Sequence, residues 1–300
     1  CRLLESNSDM NDYHGLPTRH LVSGSLELDC LEAAGPRIVR LRYKGSSNLL
    51  AEVPDISIPT QYGDYRYIGG HRLWYAPEAM PRSYVPDNDG LNISETPDGL
   101  ILDGKTEPGT GIHKSIEIHL NPNQPQVTLA HTLVNEGLWD VELAPWAITM
   151  FRLGGLAILP TQPETVDMDD LLPNRHFSLW AYSQINDPRL HLEDDFIVIT
   201  AKPDLPPFKI GTFNPRGWMA YWIDGVLFRK TFDARAGLPH PDHDCNAEIY
   251  CDGHFIELES LAPLAKLAAG NSVCFTGMWE FYDSLKQDFI PEKILGLDTR

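Results

Sequence analysis

The stretch HPDHDCNAEIYCDGHFIELESLAPLAKLAAGNSVCFTGMWEF, from His240 to Phe281, decides how the chain is read. Within it, FIELE alternates strictly. Strand side chains point to opposite faces with period two, so Glu257 and Glu259 share one face, roughly 7 Å apart, while Ile256 and Leu258 share the other. The apolar pair belongs to a core. Two acids on a half-buried face are costly unless something pairs with them. The preceding strand-like run CNAEIYC brings Asn246 and Glu248 alongside. Together these residues predict the floor of a polar cavity built on a sheet.

The same alternation extends outward in both directions. SLELDC places Leu26, Leu28 and Cys30 on one side, and IVRLRY sets Val39, Leu41 and Tyr43 opposite Arg40 and Arg42. IHKSIEIHL carries Ile112, Ile116, Ile118 and Leu120 on one face. QVTLAHTLVN, VELAPWAITMF, DFIVITA, WMAYWI and GVLFRKTF continue the pattern, and 23 Gly and 24 Pro supply the turns between them. Helical periodicity is confined to short pieces, around PETVDMDDLL and near the C-terminus. So many strands joined by short turns call for an all-β sandwich or barrel, mostly antiparallel. The expected organisation is an N-terminal extension over residues 1–20, one β domain over 21–286 and a C-terminal tail over 287–300.

Composition narrows the function. The chain has 300 residues and a net charge of −18, from 42 acids against 24 Lys and Arg. Phosphate affinity comes from clustered cations, so nucleic acid is excluded as a partner. No apolar run reaches spanning length, which excludes a transmembrane helix. The five cysteines form an odd set without CxxC spacing, so a reduced, cytoplasmic compartment is the simpler expectation. His240, Asp242, His243 and Asp244 are dense in donor atoms, but their spacing fits neither an HExxH helix nor a calcium loop, and no metal or cofactor is expected. GxSxG and phosphate-loop signatures are absent, which argues against a serine nucleophile and against nucleotide hydrolysis.

Three further segments carry candidate binding residues. In YRYIGGHRLWYAPEAMPRSY, Gly69-Gly70 permits unusual backbone torsions, and His71, Arg72, Trp74 and Glu78 follow among tyrosines. Aromatic faces beside Arg and His donors suit a sugar, which presents C–H faces and a rim of hydroxyls. LPNRHFSLWAYSQINDPR repeats that chemistry with Arg175, His176 and Trp180. Lys209, in FKIGTFNPRGWMAYW, has Glu248 or Glu259 as its natural partner if it lies inside the cavity.

The order of Gly69 to Glu78, then TLVNEGLWDVELAPWAITMFRLGG (132–155), then FIELESLAPLAKLAAGNSV (255–273) resembles the galactose mutarotase-like superfamily, in an uncharacterised branch. The resemblance runs from about Leu21 to Phe281. It implies a β-supersandwich whose concave sheet holds a carbohydrate. It also implies an aldose 1-epimerase type of reaction, in which a glutamate takes the anomeric proton and a histidine protonates the ring oxygen. Glu259 falls where that glutamate belongs, with Glu257 the alternative two residues away. The family's second histidine has no match, because that segment reads APWAITMFRLGG, with Trp146 and Thr149 in its place. His71 or His176 is then the expected acid. Arg72, Trp74, Glu78, Arg175, Trp180, Lys209, Glu248 and Glu257 are the expected sugar contacts. The same scaffold also fits a non-catalytic carbohydrate-binding protein, or a glycosidase with carboxylates on both sides of the scissile bond.

Overall fold

In the computed structural model, residues 12–162, 167, 169 and 171–283 are described. Their strands form an eleven-stranded sheet, a ten-stranded sheet and a separate two-stranded hairpin. Ten strands matter for the site: β1 (Glu52–Thr60), β2 (Gly63–Gly69), β3 (His71–Ala76), β4 (Gln126–Asn135), β5 (Val141–Arg152), β6 (Phe208–Thr212), β7 (Val226–Phe232), β8 (Ala247–Cys251), β9 (Phe255–Leu261) and β10 (Ser272–Tyr282). The middle of the larger sheet runs β3–β5–β9–β8–β6, with every neighbour antiparallel. The facing sheet contributes β7–β10–β4, and β1 and β2 make the hairpin.

The core lies between the two large sheets. Leu73, Ala147, Ile256 and Leu258 from one sheet meet Leu129, Phe228, Phe275 and Trp279 from the other in one buried cluster. Alternation then forces Trp74, Trp146, Ile148 and Leu261 onto the outer face, where they form a second buried cluster with Tyr65. The central strands are therefore covered on both faces, and β9 is buried along its whole length. The hairpin β1–β2 contributes to the outer covering. It turns into β3 through Ile68, Gly69 and Gly70, which all have positive φ, of 61°, 109° and 77°. At Gly70 the need for glycine is doubled, since a Cβ would stand 2.1 Å from the Ile38 carbonyl oxygen.

The expected all-β, mostly antiparallel sandwich is present, with local differences. Leu16–Ser23 is a strand paired with Leu26–Leu31, so ordered structure begins inside the stretch expected to be an extension. A bulge at Asp29/Cys30 shifts the register against Arg37–Tyr43. As a result Ile38 and Leu41 both face the main core, while Val39 packs with Tyr13 and Leu31 in a separate cluster. Cys30, Cys245, Cys251 and Cys274 are free thiols. Most of the helix expected at 163–172, and the one expected near the C-terminus, lie outside the described residues. No helix among the described residues is long and apolar enough to cross a membrane.

Candidate functional site

The outer face of the central strands is ranked by the pairing register. Trp74, Trp146 and Leu261 lie side by side; in the next rank come Arg72, Ile148, Glu259, Glu248 and Gly211; in the third, Met150, Glu257, Tyr250 and Lys209. Above them opens a cavity of about 630 Å³, roofed in part by Ile56 and Ile58 of the hairpin.

Its charged groups are cross-braced along the diagonals of the sheet, a distance that long side chains span. Arg72 reaches from β3 and donates through Nη2 to Glu257 Oε1 at 2.9 Å, with its guanidinium 4.6 Å from the centre of the Trp74 ring. Lys209 reaches from β6 at the other side. Its Nζ lies 2.8 Å from Glu259 Oε2 and 2.7 Å from Glu248 Oε2, between the rings of Trp146 and Trp180 at 4.6 and 4.5 Å. Trp146 Nε1 donates to Glu259 Oε2 at 2.8 Å. Both of these donors to Glu259 meet the same oxygen, Oε2.

Burial decides the protons. Three carboxylates and two cations would leave one negative charge in excess in a desolvated place, which is strongly unfavourable. Burial, opposed by Lys209 and reinforced by Glu259, holds the Glu248 carboxyl well above the usual carboxylate range. Neither of its oxygens is met in hydrogen-bonding geometry, the Lys209 ammonium lying 2.7 Å from Oε2 as an ion-pair contact only. We therefore assign the excess proton to Glu248. Glu257 is pushed up to about 7 by burial, against the pull of Arg72 and with a push from Glu259. Burial works against the charge of Lys209, but Glu248 and Glu259 outweigh it and hold the ammonium well above the ordinary lysine value.

The residues expected from the sequence divide clearly. Arg72, Trp74, Glu78, Lys209, Glu257 and Glu259 line the cavity, with Glu78 exposed at its mouth and accepting from the Tyr84 hydroxyl. Glu248 and Trp180 abut it through Lys209. Arg175 and His176 are exposed and do not line it; Arg175 donates to the Asp194 carbonyl, and the His176 carbonyl accepts from Thr212 Oγ1 at 2.7 Å. His71 is fully buried on the opposite face of β3, where alternation must put it once Arg72 and Trp74 face the cavity. The three residues Glu259, His71 and His176 do not converge. Tyr182, Tyr250, Asp252, His254 and Phe255, which sequence reasoning did not single out, complete much of the wall. Phe255 lies two residues before Glu257 in the strand that identified the floor, so strand parity was the available signal for it.

Behind the floor His71 joins a polar chain through the core. Lys230 of β7 donates to the Ala147 and Leu258 carbonyls at 3.0 and 3.2 Å and to Thr149 Oγ1 at 3.3 Å. Thr149 Oγ1 is 3.0 Å from His71 Nδ1, His71 Nε2 is 2.8 Å from His131 Nε2, and His131 Nδ1 is 2.9 Å from the Phe275 carbonyl oxygen. A carbonyl only accepts, so His131 carries its proton on Nδ1 and accepts at Nε2. That assigns Nε2–H to His71, and Thr149 then donates to His71 Nδ1. Burial lowers His71 well below the ordinary imidazole value, His131 to about 4 and Lys230 to about 7.

Solved structures share this fold over most of the chain. A galactose mutarotase-like protein from Lactobacillus casei aligns with a TM-score of 0.57 over 88% of this chain and 100% of that one, at 10% identity. The chain has the galactose mutarotase-like fold. A candidate aldose 1-epimerase from Klebsiella pneumoniae covers 99% of this chain over 86% of its own length, at 11% identity and a TM-score of 0.58. A TPR-domain containing protein from Parabacteroides distasonis matches 92% of this chain with 48% of its own, at 12% identity and a TM-score of 0.61. Comparison of the sequence with family models and with curated proteins finds no match. Identities this low carry the galactose mutarotase-like fold and nothing finer.

Proposed function

We propose that the protein binds a saccharide in this cavity, over Glu257 and Glu259 and against the rings of Trp74 and Trp146. The observation that carries the reading is the pairing of two buried carboxylates with two buried cations inside an aromatic-walled cavity of about 630 Å³. Held carboxylates accept from sugar hydroxyls in a fixed geometry, and the rings offer flat apolar faces to the C–H side of a pyranose. The names carried by the Lactobacillus and Klebsiella proteins support the reading by analogy of fold.

A catalytic form of this reading, of aldose 1-epimerase type, is favoured by the position of Glu257 near neutrality beside Glu259. Glu259 Oε1 takes the anomeric hydroxyl proton as Glu257, partly protonated at pH 7, gives one to the ring oxygen. The bond from C1 to the ring oxygen breaks, the carbonyl turns, and the ring recloses on its other face as both protons return. Polarimetry of freshly dissolved aldoses tests this form. Glu259→Gln and Glu257→Gln are each expected to lose about 10²–10⁴ in rate, the usual worth of a positioned acid or base. His176→Ala, outside the cavity, is expected to stay within about twofold of wild type, because it holds no group at the reacting atoms. A wild type that never outpaces spontaneous mutarotation would leave a binding protein. A folded wild type whose tryptophan fluorescence responds to no saccharide would end the sugar reading.

A further inference from the structure

The charged floor does not make up the whole cavity. Beside it four rings form a continuous ribbon: Tyr67 and Phe255 have centroids 6.3 Å apart, Phe255 and Tyr250 5.8 Å, and Tyr250 and Tyr182 6.4 Å. Ile56 of the hairpin packs against this ribbon with Phe255, and Ile58 lines the cavity beside it. Both isoleucines are half-buried, and both line the cavity. The cavity volume lies in the middle of the range that encloses ligands of drug size, well beyond what one pyranose ring needs. Hydroxyls of a second sugar ring set against Ile56 and Ile58 would find no partner there, since the polar groups on this side are confined to the tyrosine hydroxyls, Asp252 and His254.

Resting on the saccharide reading, we infer that the cavity takes a glycoside whose apolar aglycone lies along the Tyr67–Phe255–Tyr250–Tyr182 ribbon under Ile56 and Ile58. The sugar then lies over Glu257 and Glu259 and the hydrocarbon under the hairpin, so the two halves of the cavity recognise the two halves of one amphipathic molecule.

Calorimetric titration of the full chain with methyl and hexyl glycosides of glucose and of galactose, and with cellobiose, tests this. Each methylene fully withdrawn from water strengthens binding roughly fourfold. With part of the chain left in solvent, the hexyl glycoside of the preferred sugar is expected to bind about 30-fold or more tighter than the methyl one. Ile56→Ser, checked for an intact fold by its unfolding transition, is expected to reduce that ratio to below about fivefold, because the hydrocarbon loses its apolar partner. A hexyl glycoside no tighter than the methyl one, or cellobiose gaining more than the hexyl chain, would overturn the aglycone assignment while the saccharide reading stands. Failure of every glycoside and of cellobiose to bind would overturn both.

Discussion

Lys209 is the residue on which the floor depends. It is 3% exposed, neutralises the Glu259 carboxylate on one strand and lies against the Glu248 carboxyl on another. Removing one member of a buried pair leaves the other charge uncompensated, at a cost of about 3–5 kcal/mol. Lys209→Met is therefore expected to lower the unfolding free energy by about that amount in urea titration. Glu248→Gln is expected to be far milder, below about 1 kcal/mol, since an amide replaces a carboxyl that already carries a proton. Equal losses in the two variants would show that Glu248 is ionised and that the excess charge resides elsewhere. Glu257 contributes with a definite sign. Its folded value, about 7, is above the ordinary carboxylate value of 4.5, so the native state binds more protons between those limits. Stability from this group is present at low pH and declines as pH rises through that window, a slope that Glu257→Gln should remove.

At the scale of elements, the chain from Lys230 through Thr149 and His71 to His131 ties β7, β5, β9, β3 and β4 together across the sandwich. Both imidazoles are held neutral, with His131 lowered to about 4. Between that value and 6.5 the unfolded chain binds more protons than the native one. The histidines' share of the stability should therefore fall as pH drops from 6.5 toward 4, against the opposite slope of Glu257, and His131→Gln should remove part of that fall relative to its own value at pH 8. An unchanged slope in a folded variant would mean that these histidines do not govern the acid limb. The hairpin junction makes a second element-level expectation. Gly70→Ala combines a positive φ with a Cβ driven into a carbonyl oxygen. It should cost about 3 kcal/mol or more, or abolish soluble expression. A thermal transition within about 2 °C of wild type would contradict this, since losses of that size move a domain of this length further.

Across the whole molecule, the fold was legible because antiparallel sheets write period two into the sequence, and FIELE needed nothing more to place Glu257 and Glu259 together. The partner of Lys209 was legible for a similar reason, since a buried cation needs a carboxylate and the neighbouring strands offered two. His71 was misplaced by neglect of the same rule: adjacent residues on a straight strand cannot share a face, so His71 and Arg72 could not both reach one cavity. Val39 was lost to a bulge, which shifts parity without any signature in IVRLRY. His176 and Arg175 drew attention by residue type alone, and no periodicity placed them. Tyr182, Tyr250 and Ile56 come from three separate segments whose meeting depends on the order of strands in the sheet, which alternation does not encode.

The saccharide reading can be tested at the indoles. The chain has seven tryptophans, and only Trp74, Trp146 and Trp180 border the cavity or its lysine. Their N–H resonances in a ¹H–¹⁵N spectrum report the site separately from Trp139, exposed on a turn, and Trp279, buried between the sheets. Titration with free sugars and alkyl glycosides is expected to move Trp146, whose Nε1–H is bonded to Glu259, and Trp74, while Trp139 and Trp279 stay fixed. Saturable shifts confined to the cavity indoles would bear the account out. Indoles that remain unmoved at every concentration, or shifts at Trp139 in place of Trp146, would contradict it.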